Sequence, residues 1–98
     1  MKGEYQPLYR WKVTLLDEND TPHEDYCGFD GDVCIGRIQK QSHDQMNDKW
    51  MWNLHGPKLR ITVSPHSGYE QEAREAARRV EERYHDLMRA NGRKGSKQ

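Results

Sequence analysis

The stretch K-W-M-W-N-L-H, residues 49–55, decides the fold, because it sets Trp50, Trp52 and Leu54 at every second position. On a β-strand, residues i, i+2 and i+4 project from one face. Two indoles and a leucine on one face are either the bulky half of a core or a platform for a ligand. The sequence downstream chooses between them.

From Ser67 the chain reads S-G-Y-E-Q-E-A-R-E-A-A-R-R-V-E-E-R-Y-H-D-L-M-R-A. Tyr69, Ala73, Ala76, Ala77, Val80, Tyr84, Leu87 and Met88 form one apolar stripe at helical spacing. Ser67 with Glu70 three residues later predicts a capping box at the helix start. Asn91-Gly92 predicts its stop. The outer face carries opposite charges at helical spacing, Glu70 to Arg74 and Glu75 to Arg79, and a mixed charge run of this kind reads as a solvated face. A stripe this rich in alanine lets a sheet approach closely, so the large side chains of the layer must come from strands. Trp50 and Trp52, with Trp11, are the suppliers, each burying on the order of 150–250 Å². Used as a base-stacking platform instead, the tryptophans would leave the helix with too few apolar partners.

Other segments repeat the period of two. Tyr9, Trp11, Val13 and Leu15 alternate with Arg10, Lys12 and Thr14, and Leu59, Ile61 and Val63 alternate with Arg60 and Thr62. His55-Gly56-Pro57-Lys58 reads as a hairpin connection. The run V-C-I-G-R-I-Q-K, residues 33–40, is strand-like but apolar on both faces, which leaves its register open; Gly36 signals a bulge or the close approach of another side chain. Residues 17–32 read as a long acidic connection carrying Asp17, Glu18, Asp20, Glu24, Asp25, Asp30 and Asp32 without a Lys or Arg, and residues 42–48 as a shorter polar loop. The expected fold is α+β: a three- to four-stranded antiparallel sheet with one long C-terminal helix packed on one face. The expected core is Trp11, Val13, Leu15, Trp50, Trp52, Leu54, Ile61, Ala73, Ala77, Val80 and Tyr84. A chain of 98 residues is one small domain, with an ordered core over about 8–90 and flexible ends at 1–7 and 92–98.

Lys+Arg 16 balances Asp+Glu 16, so bulk charge points to neither a nucleic-acid protein nor an acidic one, and any electrostatic argument is local. No apolar run approaches the roughly 18 residues that span a bilayer, and the N-terminal residues lack an apolar signal segment. A cytoplasmic protein is expected, with Cys27 and Cys34 as reduced thiols. Burying the tryptophans leaves the other sheet face to Arg10, Lys12, Thr14, Met51, Asn53, His55, Arg60 and Thr62, with Arg37 or Lys40 added according to register. That face is polar and net basic. It can position itself on phosphates through Arg10, Lys12, Arg37 and Arg60 while Asn53 and Thr62 reach polar edges. A solvated face kept only for solubility has the same composition.

Chemistry has little else to build on. His23, Cys27, Cys34 and His43 give H-x3-C-x6-C-x8-H, which lacks the tight C-x2–4-C pair of structural zinc. The acidic stretch lacks the register of a calcium loop. No G-x-S-x-G, phosphate loop, dinucleotide glycine pattern or H-E-x-x-H is present, and His23, His43, His55, His66 and His85 are scattered. The expectation is a non-enzymatic binding module with no metal or cofactor. Its partner is nucleic acid on the basic face, helped by Arg93, Lys94 and Lys97, or alternatively protein, through sheet-edge pairing or a patch around Met51, as a monomer or weak homodimer.

Gly36-Arg37-Ile38, then Trp50-Met51-Trp52 after a polar loop, then Ser67-Gly68-Tyr69 leading into an Ala-rich helix with Glu75-Ala76, resemble a group of short uncharacterised bacterial proteins, chiefly proteobacterial. The resemblance spans roughly residues 33–88. In that group a small residue and a Ser/Thr cap usually follow the glycine segment, where this chain has Glu70-Gln71. The resemblance implies a strand-strand-helix core and no activity.

If the Trp52 ring is core, Trp52→Ala should lower stability by about 3–5 kcal/mol in equilibrium urea unfolding. A folded variant of unchanged stability would return the ring to the ligand platform.

Overall fold

Five antiparallel strands follow one another across a single sheet in chain order: β1 (Arg10–Val13), β2 (Asp25–Asp30), β3 (Val33–Lys40), β4 (Trp50–Leu54) and β5 (Ser67–Glu70). One helix, α1 (Ala73–Ala90), crosses one face, lying over β3 and β4 and touching β5. The structure is a computed structural model that describes residues 5–14, 24–41 and 49–98.

The strand count exceeds the expected three to four because two segments pair that the sequence pattern assigned elsewhere. Residues 25–30, expected inside the acidic connection, form β2, with Tyr26 opposite Ile38 and Gly28 opposite Gly36. Residues 67–70 form β5 rather than a capping box, with Gly68 opposite Trp52 and Tyr69 opposite Met51. Helix α1 therefore starts later, after Glu72, whose side chain makes no capping hydrogen bond. Its C-terminal end lies where the sequence placed it, at Asn91.

The Leu59–Ile61–Val63 alternation is not a strand, and residues 55–66 form an irregular connection between β4 and β5. The backbone of Ile61 finds its partners in one side chain: Asn91 Oδ1 accepts from Ile61 N at 2.9 Å, and Asn91 Nδ2 donates to Ile61 O at 2.8 Å. With those groups satisfied, pairing has little left to gain there.

Trp50, Trp52 and Leu54 face the helix, and Trp50, Trp52, Ile35, Ile38, Ala76, Ala77, Val80, Tyr84 and Met88 share one buried cluster with Tyr9. Trp11, Leu54 and Ala73 pack against it half-buried. Val13 and Ile61, expected in the core, are 40% and 48% exposed. Val13 ends the edge strand beyond the reach of α1, and Ile61 sits in the connection. Leu15 lies outside the described residues.

Strand β3 resolves its two-sided apolar pattern with an irregularity. Gly28 pairs with Gly36 and Phe29 with Cys34, which leaves Ile35 as an extra residue on β3. Such a bulge turns two successive residues toward one side, so both Ile35 and Gly36 are buried. The paired glycines make room for two different neighbours. A Cβ on Gly36 would stand 2.5 Å from Val80 Cγ1 and from Asn53 O, and one on Gly28 would stand 2.7 Å from the Trp11 ring. The helix and the indole thus reach the sheet where side chains are missing.

The remaining cover comes from the segment before β1, and its anchor is Glu81, 1% exposed. Its carboxylate accepts from Leu8 N at 3.0 Å, Tyr9 N at 3.1 Å and Trp11 Nε1 at 2.9 Å, and also from the Tyr5 hydroxyl. A carboxylate taken out of water needs such a set of donors. Residues 93–98, expected to fray, turn back onto the same stretch of helix: Lys97 N donates to Tyr9 Oη at 3.1 Å, Ser96 N to Asp30 Oδ2 at 2.9 Å, and Gln98 Nε2 to His85 O at 3.1 Å.

Glu81→Gln turns an amide –NH2 toward donors and should cost about 2–3 kcal/mol, measured by urea unfolding, whereas Glu82→Gln on the exposed side should stay within about 0.5 kcal/mol. Equal effects would remove Glu81 from its anchoring role.

Candidate nucleic-acid interface

Alternation along the strands defines the face that α1 leaves bare. Opposite Trp50 and Trp52 stand Met51 and Asn53; Arg37 pairs with Asn53, Gln39 with Met51, and Tyr69 with Met51 from the other side. Across the sheet, Cys27 pairs with Arg37 and Lys12, and Phe29 with Arg10 and Cys34. The register question is thereby answered: Arg37 belongs to the open face, while Lys40, opposite Trp50, belongs to the helix side and pairs with Glu24 at 3.6 Å.

Of the six residues proposed from sequence, Arg10, Lys12, Arg37 and Asn53 share this face, and His55 follows β4 with its Nδ1 3.7 Å from Cys34 Sγ. Arg60 stands exposed in the connection, outside any strand. Arg37 is engaged. Its Nε and Nη2 donate to the two oxygens of Asp25 at 2.9 and 2.7 Å, and Gln39 Nε2 adds a third bond to Asp25 at 3.1 Å. Burial alone would raise the Asp25 pKa, but the bonds from Arg37, Gln39 and Thr14 outweigh it and hold the carboxyl below its ordinary value. Sequence reasoning kept the acids away from this face; the strand nature of β2 puts Asp25 on it and cancels one of the expected cations.

Arg10 and Lys12 form no ion pair among the described residues, and Lys12 Nζ lies 5.8 Å from the centre of the Phe29 ring. The aromatic residues of the open face are not the tryptophans but Phe29 and Tyr69, the latter 44% exposed. Tyr69 was expected on the helix stripe. Neither was foreseen, since Phe29 lay in the acidic connection; the signal was the D-Y-C-G-F-D alternation, masked by its acids.

The middle of the face holds the two thiols. Thr14 Oγ1 is 3.1 Å from Cys27 Sγ, and burial, followed by the neighbouring Cys27, pushes the Cys34 thiol up, so it stays protonated near neutral pH and is a weak nucleophile. His23 and His43 of the zinc spacing lie outside the described residues, and among the described residues no group of three or more His, Cys, Asp or Glu side chains is placed to hold a metal. No helix among them is long and apolar enough to cross a membrane.

At the sheet edge beside β1, Tyr9 Oη lies 2.7 Å from His85 Nε2 while accepting from Lys97 N. Burial lowers the His85 pKa, so the ring is neutral and the phenol donates to Nε2. Tyr84 Oη donates to Asp30 Oδ2 at 2.6 Å. Burial would raise Asp30, but hydrogen bonds from Ser96 and Tyr84 bring it below its ordinary value.

A scan of protein-family models returns no match to this chain, and searches of curated proteins and of solved structures return none either.

The shifts fix the sign of the pH response. Asp25 titrates below its ordinary value in the folded chain, so its contribution is complete above that value and is lost as pH falls through the folded one. His85, also lowered, gives up its share earlier, as pH drops below the ordinary imidazole range. Urea midpoints measured from about pH 5 to about pH 2 should fall for the native chain and fall less for Asp25→Asn. Parallel curves would show that the Arg37–Asp25 pair contributes nothing to stability.

Proposed function

We propose that the protein is a small non-enzymatic binding module, acting in the cytoplasm, whose open sheet face takes single-stranded nucleic acid. The observation that carries the proposal is one uncovered face on which Phe29 and Tyr69 stand with Arg10, Lys12 and Asn53. Aromatic rings stack on bases of any sequence, cations track the phosphates, and a carboxamide such as Asn53 can hydrogen-bond a base edge. A single strand fits better than a duplex: with Arg37 held by Asp25, the face has few cations for phosphates but keeps its aromatic surface.

The alternative is a protein partner or a second copy of the chain on a sheet edge. What favours it is that β1 and β5 each leave one edge unpaired among the described residues, and that Tyr69 is exposed on β5. Arg10 and Lys12 on β1 oppose such pairing, which leaves β5 as the edge for it.

Fluorescence anisotropy with labelled dT12 and rU12 separates the two. Engaging two or three phosphates, the strand should bind about tenfold more weakly at 200 mM than at 50 mM salt, and Phe29→Ala or Tyr69→Ala, checked for folding by circular dichroism, should each weaken binding by about 1–3 kcal/mol. Absence of binding at 50 mM salt, together with a dimer in sedimentation that Tyr69→Ala disrupts, would favour the edge instead.

A further inference from the structure

The basic end of the open face runs into a cleft of about 540 Å³. Its walls come from three parts of the chain: Leu8 and Arg10 at the start of β1, Phe29 and Asp32 at the β2–β3 hairpin, and Ser96 and Lys97 in the tail. Arg10 and Phe29 are direct partners across β1 and β2, so the cleft and the sheet face share two residues and form one surface. The volume lies within the ~300–1,000 Å³ usual for small-ligand sites.

Two cations line the cleft, Arg10 from the strand and Lys97 from the tail, and neither forms an ion pair among the described residues. The tail is held in place by the bond from Lys97 N to Tyr9 Oη and by the bond from Ser96 N to Asp30. Gly95 is buried against Tyr9 and Tyr84, where a side chain would collide with both rings. Asp30 is occupied by Tyr84 and Ser96, so it does not turn a free carboxylate on an incoming anion. Asp32, exposed at the hairpin turn, is the one acid in the lining of the cleft.

Resting on the single-strand reading above, we infer that this cleft is a nucleotide subsite, seating one nucleotide of the bound strand with its phosphate between Arg10 and Lys97 and its base against Phe29. The tail then belongs to the binding surface, and the strand runs from the centre of the sheet toward the β1 edge. Mobile cations on a sheet would attract phosphate anywhere; two cations set on a walled cleft beside an aromatic ring select a phosphate with a base attached.

The test is an amide-resolved NMR titration of the full chain with dT6, thymidine 5′-monophosphate and inorganic phosphate, repeated with Lys97→Ala and Lys97→Arg. The expected result is that dT6 shifts Gly31, Ser96 and Lys97 along with Met51, Asn53 and Tyr69, and that the mononucleotide shifts the cleft alone and more strongly than phosphate. Lys97→Ala should weaken dT6 binding about three- to tenfold and make the salt slope shallower by about 0.7, with an unchanged melting temperature, while Lys97→Arg should restore both. Shifts on Met51, Asn53 and Tyr69 with a silent cleft would overturn the subsite and leave the sheet-face reading standing. An equal response to inorganic phosphate would overturn the nucleotide assignment, and a spectrum silent to all three probes would overturn both proposals.

Discussion

A carboxylate with almost no access to water lies at the centre of this structure. Removing Glu81 from solvent costs several kcal/mol unless donors replace the water, and here those donors are Leu8 N, Tyr9 N, Trp11 Nε1 and the Tyr5 hydroxyl. Each donor fixes a different part of the N-terminal segment. Trp11 Nε1 sets the indole over Gly28, the two amides set the entry into β1, and Tyr9, so placed, reaches His85 and receives Lys97 N. The edge strand with Arg10 and Lys12 and the docked tail all depend on one side chain of the helix.

The sheet is covered unevenly, and that asymmetry decides which face stays open. Helix α1 lies over β3 to β5, and the glycine pair at 28 and 36 brings Val80 and Trp11 down onto the strands. The segment before β1 covers what the helix leaves. Every large indole is consumed on that side, Trp52 also carrying the Arg79 guanidinium 5.6 Å from its ring. The opposite side keeps smaller aromatic rings, an ion pair and two thiols, too polar a set to form a second core.

The sheet layer around Trp50, Trp52 and Leu54 was legible because large apolar side chains and a period of two coincide there with an alanine stripe. The helix stop at Asn91 was legible for the same reason of redundancy. Strand β2 was hidden, since four of the seven acids in residues 17–32 enter or flank it and conceal the Tyr26/Gly28 face. Ile61 misled because alternation cannot distinguish a strand paired to a neighbour from a run whose backbone is satisfied by Asn91, 30 residues away. Glu81 was not singled out within the charged helix; yet it falls four residues after Ala77 and three before Tyr84, on the apolar stripe itself. For the open face, the alternation placed Arg10, Lys12 and Asn53 together, but the loss of Arg37 to Asp25 depended on the strand that had not been seen.

Glu81 also orders events in time. Its donors lie 70 to 76 residues before it in the chain. On a ribosome adding about 5–20 residues per second, the meander of β2, β3 and β4 can pair as it emerges, because its contacts are local. The segment before β1 has nothing to hold until Glu81 and the helix around it have been made. For those seconds the nascent sheet carries Trp50 and Trp52 in water, and the chain is at its most vulnerable to association with other nascent chains just before the helix closes over it.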